Sequence, residues 1–321
     1  LKERSRVDDK VMARRPRRAL RIAVWLSAVY ALGCVVAGIA LAEMSVHLQK
    51  LPLRDSSAYR SQISQQFHAQ VEDVSIAAAD NAPLKAWFVQ PHNGNGKAVV
   101  ILHGVTANRD DSEGFSEMFL NRGYSVLMPD SREHGESGGS IATYGVLEKD
   151  DVRRWVTWVR GRAPGCTYLL GESMGAAIGL QATAVTPQLC AVAVEDPYAT
   201  FREISYERLG RPTHLSPLFW RTIGRPILEV AIAYTRVRYG VYLPDADPKA
   251  AVEKSHVPAL LIAGTVDQNI PMHHAQELEK ACPEHCALWI VSGAGHCGAS
   301  TVAHAEFERR VLEWFDQHGE P

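Results

Sequence analysis

From residue 71 onward, short continuous apolar runs alternate with stretches in which apolar residues recur every three or four positions. Ala98-Val-Val-Ile-Leu102 is a β-branched run of the kind buried on both faces of a parallel sheet. Tyr124–Met128, a strand at Tyr168, Ala191–Val194, Ala259–Ala263 and Ala287–Val291 are further strands of this type. Between them, Phe115, Met118 and Phe119 mark one helix, and Val152, Trp155, Val156 and Val159 fall at i, i+3, i+4 and i+7 of another. A last amphipathic helix is predicted over about 302–317. Val71–Ala77 and Leu84–Gln90, separated by a turn, read as an antiparallel pair leading into this series. The pattern predicts an α/β fold: a mostly parallel central sheet with helices on both faces.

One stretch breaks the rhythm. Residues 197–256 are too long for an ordinary connection and carry helical segments punctuated by Pro212, Pro217 and Pro226. They are expected to form a helical cap inserted over the carboxyl edge of the sheet, where open α/β folds bind ligands. Its Phe219, Trp220 and Tyr234 either line an acyl pocket or pack the cap onto the body.

The amino-terminal region follows different rules. Residues 1–21 hold nine Lys or Arg against three acids, and residues 22–42 then run without a charge. About 20 apolar residues match the hydrocarbon thickness of a bilayer, so 22–42 is expected to be a transmembrane signal anchor, its arginine-flanked side cytoplasmic and the rest of the chain extracytoplasmic. Ala40-Leu41-Ala42 has the small-x-small form of a signal-peptidase site, which leaves a cleaved and secreted form as the alternative; the length of the apolar run favours an anchor. Residues 43–70 read as a connector and 71–318 as the folded α/β domain.

Charge and cysteines refine this picture. Without the basic segment the chain has 25 basic against 33 acidic residues, a mildly acidic body that argues against a nucleic-acid partner. Outside the cytoplasm, Cys166 with Cys190 and Cys282 with Cys286 are candidate disulfides, with Cys297 left as a free thiol. The spacing of cysteines and histidines does not suggest a zinc site.

The candidate chemistry centres on Gly171-Glu-Ser-Met-Gly175. An apolar strand precedes it and small helix-compatible residues follow, which is the context a nucleophile elbow requires. Serine needs a base and the base an orienting carboxylate. Asp267 and His296 follow the strands ending at Ala263 and Val291, so loops at one sheet edge bring them to Ser173. Glu195 and Asp196 end a strand at the same edge and are reserve candidates for the acid. Backbone N–H groups of Met174 and Val105 are the expected oxyanion donors. His103 is expected to support the oxyanion loop, Asp130 and His134 to brace a turn, and His273-His274 to be a solvated pair.

Taken together, Leu102-His-Gly-Val-Thr-Ala-Asn108, Pro129-Asp-Ser-Arg-Glu-His-Gly-Glu-Ser-Gly138, Gly171–Gly175, Gly264-Thr-Val-Asp267 and Gly293-Ala-Gly-His296 resemble the successive motifs of α/β-hydrolase fold serine hydrolases. The similarity is to a membrane-anchored or secreted, serine-aminopeptidase-like group. It implies hydrolysis of a small-molecule ester, thioester or amide through an acyl-enzyme, with no cofactor and no metal. A carboxylesterase is the leading expectation, a peptidase or amidase the second, and a hydrolase fold kept as a non-catalytic interaction module the third. Glu133 stands where the family commonly has glycine.

Overall fold

In the computed structural model the backbone of residues 2–319 and the side chains of residues 18–319 are described. The chain opens with α1 (Lys2–Val46) and α2 (Ser57–Phe67), followed by the hairpin β1 (Val71–Ala77) and β2 (Pro83–Val89). The alternating series is then β3 (Ala98–Leu102), α3 (Glu113–Leu120), β4 (Ser125–Pro129), α4 (Glu148–Arg160), β5 (Thr167–Glu172), α5 (Met174–Thr183) and β6 (Leu189–Glu195). After β6 come α6 (Phe201–Thr213), α7 (Pro217–Arg221), α8 (Arg225–Tyr239) and α9 (Pro248–Lys254), and the series resumes with β7 (Ala259–Gly264), α10 (His273–Ala281), β8 (Cys286–Val291), α11 (Ala299–Val302) and α12 (His304–Gln317).

The strands form one sheet in the order β1-β2-β4-β3-β5-β6-β7-β8. Pairing is antiparallel at β1–β2 and β2–β4 and parallel across the rest. Strand periodicity divides the side chains between two apolar layers. Val100, Leu102 and Leu169 join the α4 stripe of Val152, Trp155, Val156 and Val159 on one face. On the other, Val99, Ile101 and Tyr168 meet Phe119 of α3 and Phe307, Val311 and Phe315 of α12. Burial on both faces is why these strands read as continuous apolar runs instead of alternating ones.

The segment read as a connector is more than that. α1 runs on to Val46, and α2 packs Tyr59 and Ile63 into the second layer, with Tyr59 stacked on Trp87 and its hydroxyl donating to Ser116 at 2.9 Å. α2 shows only two buried apolar positions among polar residues, too few to reveal its buried face in sequence. Both expected disulfides form: Cys166–Cys190 ties the starts of β5 and β6, with Cα atoms 5.7 Å apart, and Cys282–Cys286 closes the turn before β8. Cys297 is free.

Glu133 adopts a left-handed φ of 61°, which explains why glycine suits that position. Its carboxylate meets Lys50 at 3.5 Å, an ion pair worth about 0–1 kcal/mol where partly exposed. Glu133→Gly relieves about 1 kcal/mol of backbone strain and loosens the unfolded chain. Equilibrium denaturation is expected to show unchanged or slightly higher stability; a loss above about 1 kcal/mol would assign the Glu133 side chain a larger role than this ion pair.

Candidate active site

β5 ends at Glu172 and α5 begins at Met174, so the whole reversal of direction falls on Ser173, at φ 53° and ψ −113°. Such a conformation persists only where its surroundings enforce it. The flanking glycines are part of that enforcement. A Cβ on Gly171 would lie 2.6 Å from the Gly175 carbonyl oxygen, and one on Gly175 would strike the backbone carbonyls of Leu102 and His103. Ser173 also donates its backbone N–H to Glu195 at 2.8 Å, pinning the elbow to β6.

The loops after β7 and β8 bring Asp267 and His296 to this elbow. His296 Nε2 lies 2.9 Å from Ser173 Oγ, and its Nδ1 lies 2.8 Å from Asp267 Oδ2. Asp267 Oδ1 accepts from the backbone N–H groups of Asn269 and Ile270, leaving Oδ2 for the ring. Burial would raise this carboxyl, but the hydrogen bond and charge of His296, with the two amides, hold it below the usual aspartate range. Nδ1 therefore faces an ionised acceptor, which fixes Nε2 as the atom free to take a proton from serine.

Of the reserve acids, Glu195 is turned away and accepts from the Ala299 N–H at 2.7 Å. Asp196 comes closer, with Oδ2 3.7 Å from His296 Nδ1, beyond hydrogen-bond reach. Its oxygens instead accept from Gly264 and Cys297 N–H groups, at 3.2 and 2.7 Å. Burial, reinforced by Asp267 and Glu195, pushes its pKa up to about 7. The Cys297 thiol is also driven upward, by burial first and then by the surrounding carboxylates, so it is no ready nucleophile.

His103 has the structural role expected of it. Its Nδ1 donates to the Gly104 carbonyl at 2.8 Å, its Nε2 accepts from the Ser131 N–H at 3.0 Å, and burial lowers its pKa to about 3, so it stays neutral. Asp130 braces its turn by accepting from the Arg109 and Glu136 amides, each at 2.8 Å, and from the Arg109 guanidinium. The expectation of a solvated His273-His274 pair needs correction. His274 is fully buried, held between the Ala199 N–H at 3.3 Å and Glu207 at 3.2 Å, because α6 folds back over α10.

Above Ser173 lies a cavity of about 470 Å³. Val105, Met174, Tyr198 and Ile270 line it from the body, Phe201, Ile204 and Leu228 belong to the cap, and Leu41, Ala42 and Met44 come from α1. Phe219, Trp220 and Tyr234 do not line it: Trp220 is buried within the cap with its indole donating to Thr213 at 3.2 Å, and Tyr234 bonds Glu43. Arg208 is the charged residue of the lining, and no carboxylate among the described residues pairs with it. Neither Arg208 nor the α1 wall carries a sequence motif.

Glu172, the variable residue of the elbow, was not singled out by the motif. Burial first, then Glu195, Asp111 and Asp196, raise its pKa from 4.5 to about 8. The folded chain therefore holds a proton that the unfolded chain releases, so this group's contribution is greatest below pH 4.5 and is lost as the pH rises through 8. Glu172→Gln is expected to flatten the fall in unfolding free energy between pH 6 and 8 by up to about 1.4 kcal/mol per pH unit. An unaltered slope in urea titrations across that range would contradict a half-buried, protonated Glu172.

Comparison with known proteins agrees with this architecture. A model of the alpha/beta hydrolase family matches residues 99–310. The uncharacterized protein YqkD of Bacillus subtilis is 30% identical over 245 residues, covering 75% of this chain and 78% of that protein. The uncharacterized protein YfhR of Escherichia coli K12 is 24% identical over 250 residues, with the same coverage of each chain. Among solved structures, a Pyrococcus furiosus esterase superposes with a TM-score of 0.67 at 23% identity, covering 85% of this chain and 98% of its own. An Exiguobacterium antarcticum esterase gives a TM-score of 0.55 at 20% identity, covering 76% and 100%. With the family match spanning most of the folded body, this chain belongs to the alpha/beta hydrolase family.

Proposed function

We propose that this protein is a serine hydrolase that cleaves a carboxylic ester through an acyl-enzyme. The observation that carries the reading is the unbroken relay from Asp267 through His296 to Ser173, with contacts of 2.8 and 2.9 Å, on a strained elbow facing the cavity. Ser173 Oγ attacks the acyl carbon while His296 Nε2 takes its proton, and Asp267 steadies the imidazolium that results. The Met174 and Val105 N–H groups stabilise the oxyanion. His296 returns the proton to the leaving alkoxide, and a water, activated by the same ring, releases the acid.

The cavity lining favours an ester over a peptide. A site for a free amino terminus needs a carboxylate to hold the ammonium group, and among the described lining residues there is none. Parallel rates with a p-nitrophenyl ester and an aminoacyl p-nitroanilide test this; faster anilide cleavage would make the protein a peptidase. Two disulfides and an arginine-flanked apolar helix fit a membrane-anchored enzyme whose catalytic body faces an oxidising, extracytoplasmic space.

A further inference from the structure

An anchor that only tethers has no reason to touch the site it carries. α1 does touch it. Within Arg18–Val46 lies an apolar stretch with a mean hydropathy of 2.2, long enough for the helix to cross a bilayer, and only 11% of that stretch is buried. The buried residues are Cys34, Ala42 and Val46, which with Gly38 recur every four residues along one face. That face packs on α8 so closely that a Cβ on Gly38 would lie 2.6 Å from Val230 Cβ. At its end α1 is fastened to the body: Glu43 accepts from the Tyr234 and Tyr239 hydroxyls, Tyr144 donates to the Ser45 carbonyl at 2.6 Å, and Ala142 N–H donates to Val46 at 2.9 Å.

The same turns of α1 form one side of the cavity over Ser173, with Leu41, Ala42, Met44 and Ser45 in its lining and Leu48 following just past the helix end. Beside them, on the helix that α1 packs against, Leu228, Ala231 and Ile232 of α8 continue the lining. Cleavage after Ala42 would remove part of this wall and the face that seats α1 on α8.

The cap also reaches the apolar stretch of α1. Tyr30 donates its hydroxyl to the Ile223 carbonyl, 12 residues and about 18 Å along α1 before Ala42. Leu218 and Ile223, 69% and 59% exposed, therefore stand beside the span itself, while neighbouring Arg221 and Arg225 are engaged with Glu203 and Glu229.

From this geometry we infer that α1 is retained as a wall of the acyl pocket, and that the ester hydrolysed carries a long apolar chain entering from the bilayer in which α1 stands. The inference rests on the serine-hydrolase reading above. It narrows the substrate class to acyl esters that partition into membranes.

The test uses the full chain, extracted from membranes in mild detergent, with p-nitrophenyl butyrate and p-nitrophenyl laurate as probes. A fully buried methylene contributes up to about fourfold in kcat/KM, so laurate is expected to exceed butyrate by at least about tenfold. Ala42→Trp, which fills the α1 wall, is expected to reduce the laurate-to-butyrate ratio at least about tenfold. The intact mass of the extracted wild-type protein is expected to include α1. A flat or falling chain-length profile with Ser173-dependent butyrate turnover, or a mature chain beginning at Glu43, would overturn the inference while leaving the hydrolase reading intact. Absence of Ser173-dependent turnover with either ester would instead remove that reading. The wild-type profile and mass decide the matter even if Ala42→Trp fails to fold.

Discussion

Ser173→Ala is expected to lower kcat for any ester the protein turns over by about 10⁴- to 10⁶-fold. The reason is local. The hydroxyl lies 2.9 Å from His296 Nε2, and alanine leaves no nucleophile there. What survives is binding and the proposed backbone oxyanion donors, which neither create nor replace the covalent intermediate. The fold should be unaffected, since the strained turn is enforced by Gly171, Gly175 and the bond from the Ser173 N–H to Glu195, none of which involves the hydroxyl. Steady-state kinetics with an aryl ester, together with an unchanged denaturation midpoint, would check both halves of the expectation.

Asp267→Asn is expected to cost about 10⁴-fold in kcat, whereas Asp196→Asn should cost no more than about tenfold. Both carboxylates lie near His296 Nδ1, at 2.8 and 3.7 Å, so proximity alone does not separate them. Their partners do. Asp267 spends one oxygen on the Asn269 and Ile270 amides and presents the other to the ring, while Asp196 spends one each on Gly264 and Cys297. Their ionisation differs as well: His296 holds Asp267 charged, and burial carries Asp196 towards neutrality. An amide at 267 would present its NH₂ to Nδ1 and favour the wrong tautomer of the ring. At 196 it disturbs only one backbone bond. Equal losses from the two substitutions would show that the carboxylates share the role.

These contrasts mark what sequence makes legible. The strands at Val99, Leu169 and Val192 were readable because a strand buried on both faces must be apolar throughout. The elbow was readable because a turn this tight admits only glycine at 171 and 175. Asp267 and His296 were candidates because loops that follow successive parallel strands emerge at one edge, and both do meet at Ser173. Other features depend on contacts between distant segments and leave little local pattern. His274 looks like a surface residue until α6 places Glu207 against it. α2 exposes most of its residues and hides only Tyr59 and Ile63. The α1 wall looked like lipid-facing helix, and its four-residue repeat of Cys34, Gly38, Ala42 and Val46 was the available sign that one face meets protein.

Covalent labelling tests most directly whether Ser173 is an activated nucleophile. The folded protein is treated with an alkyl fluorophosphonate and its peptides are examined by mass spectrometry. A single phosphonyl adduct on the peptide carrying Ser173, absent from Ser173→Ala and lost on acid unfolding before treatment, is the expected result. A wild-type protein that stays unlabelled, or one whose adduct persists in Ser173→Ala, would contradict the account.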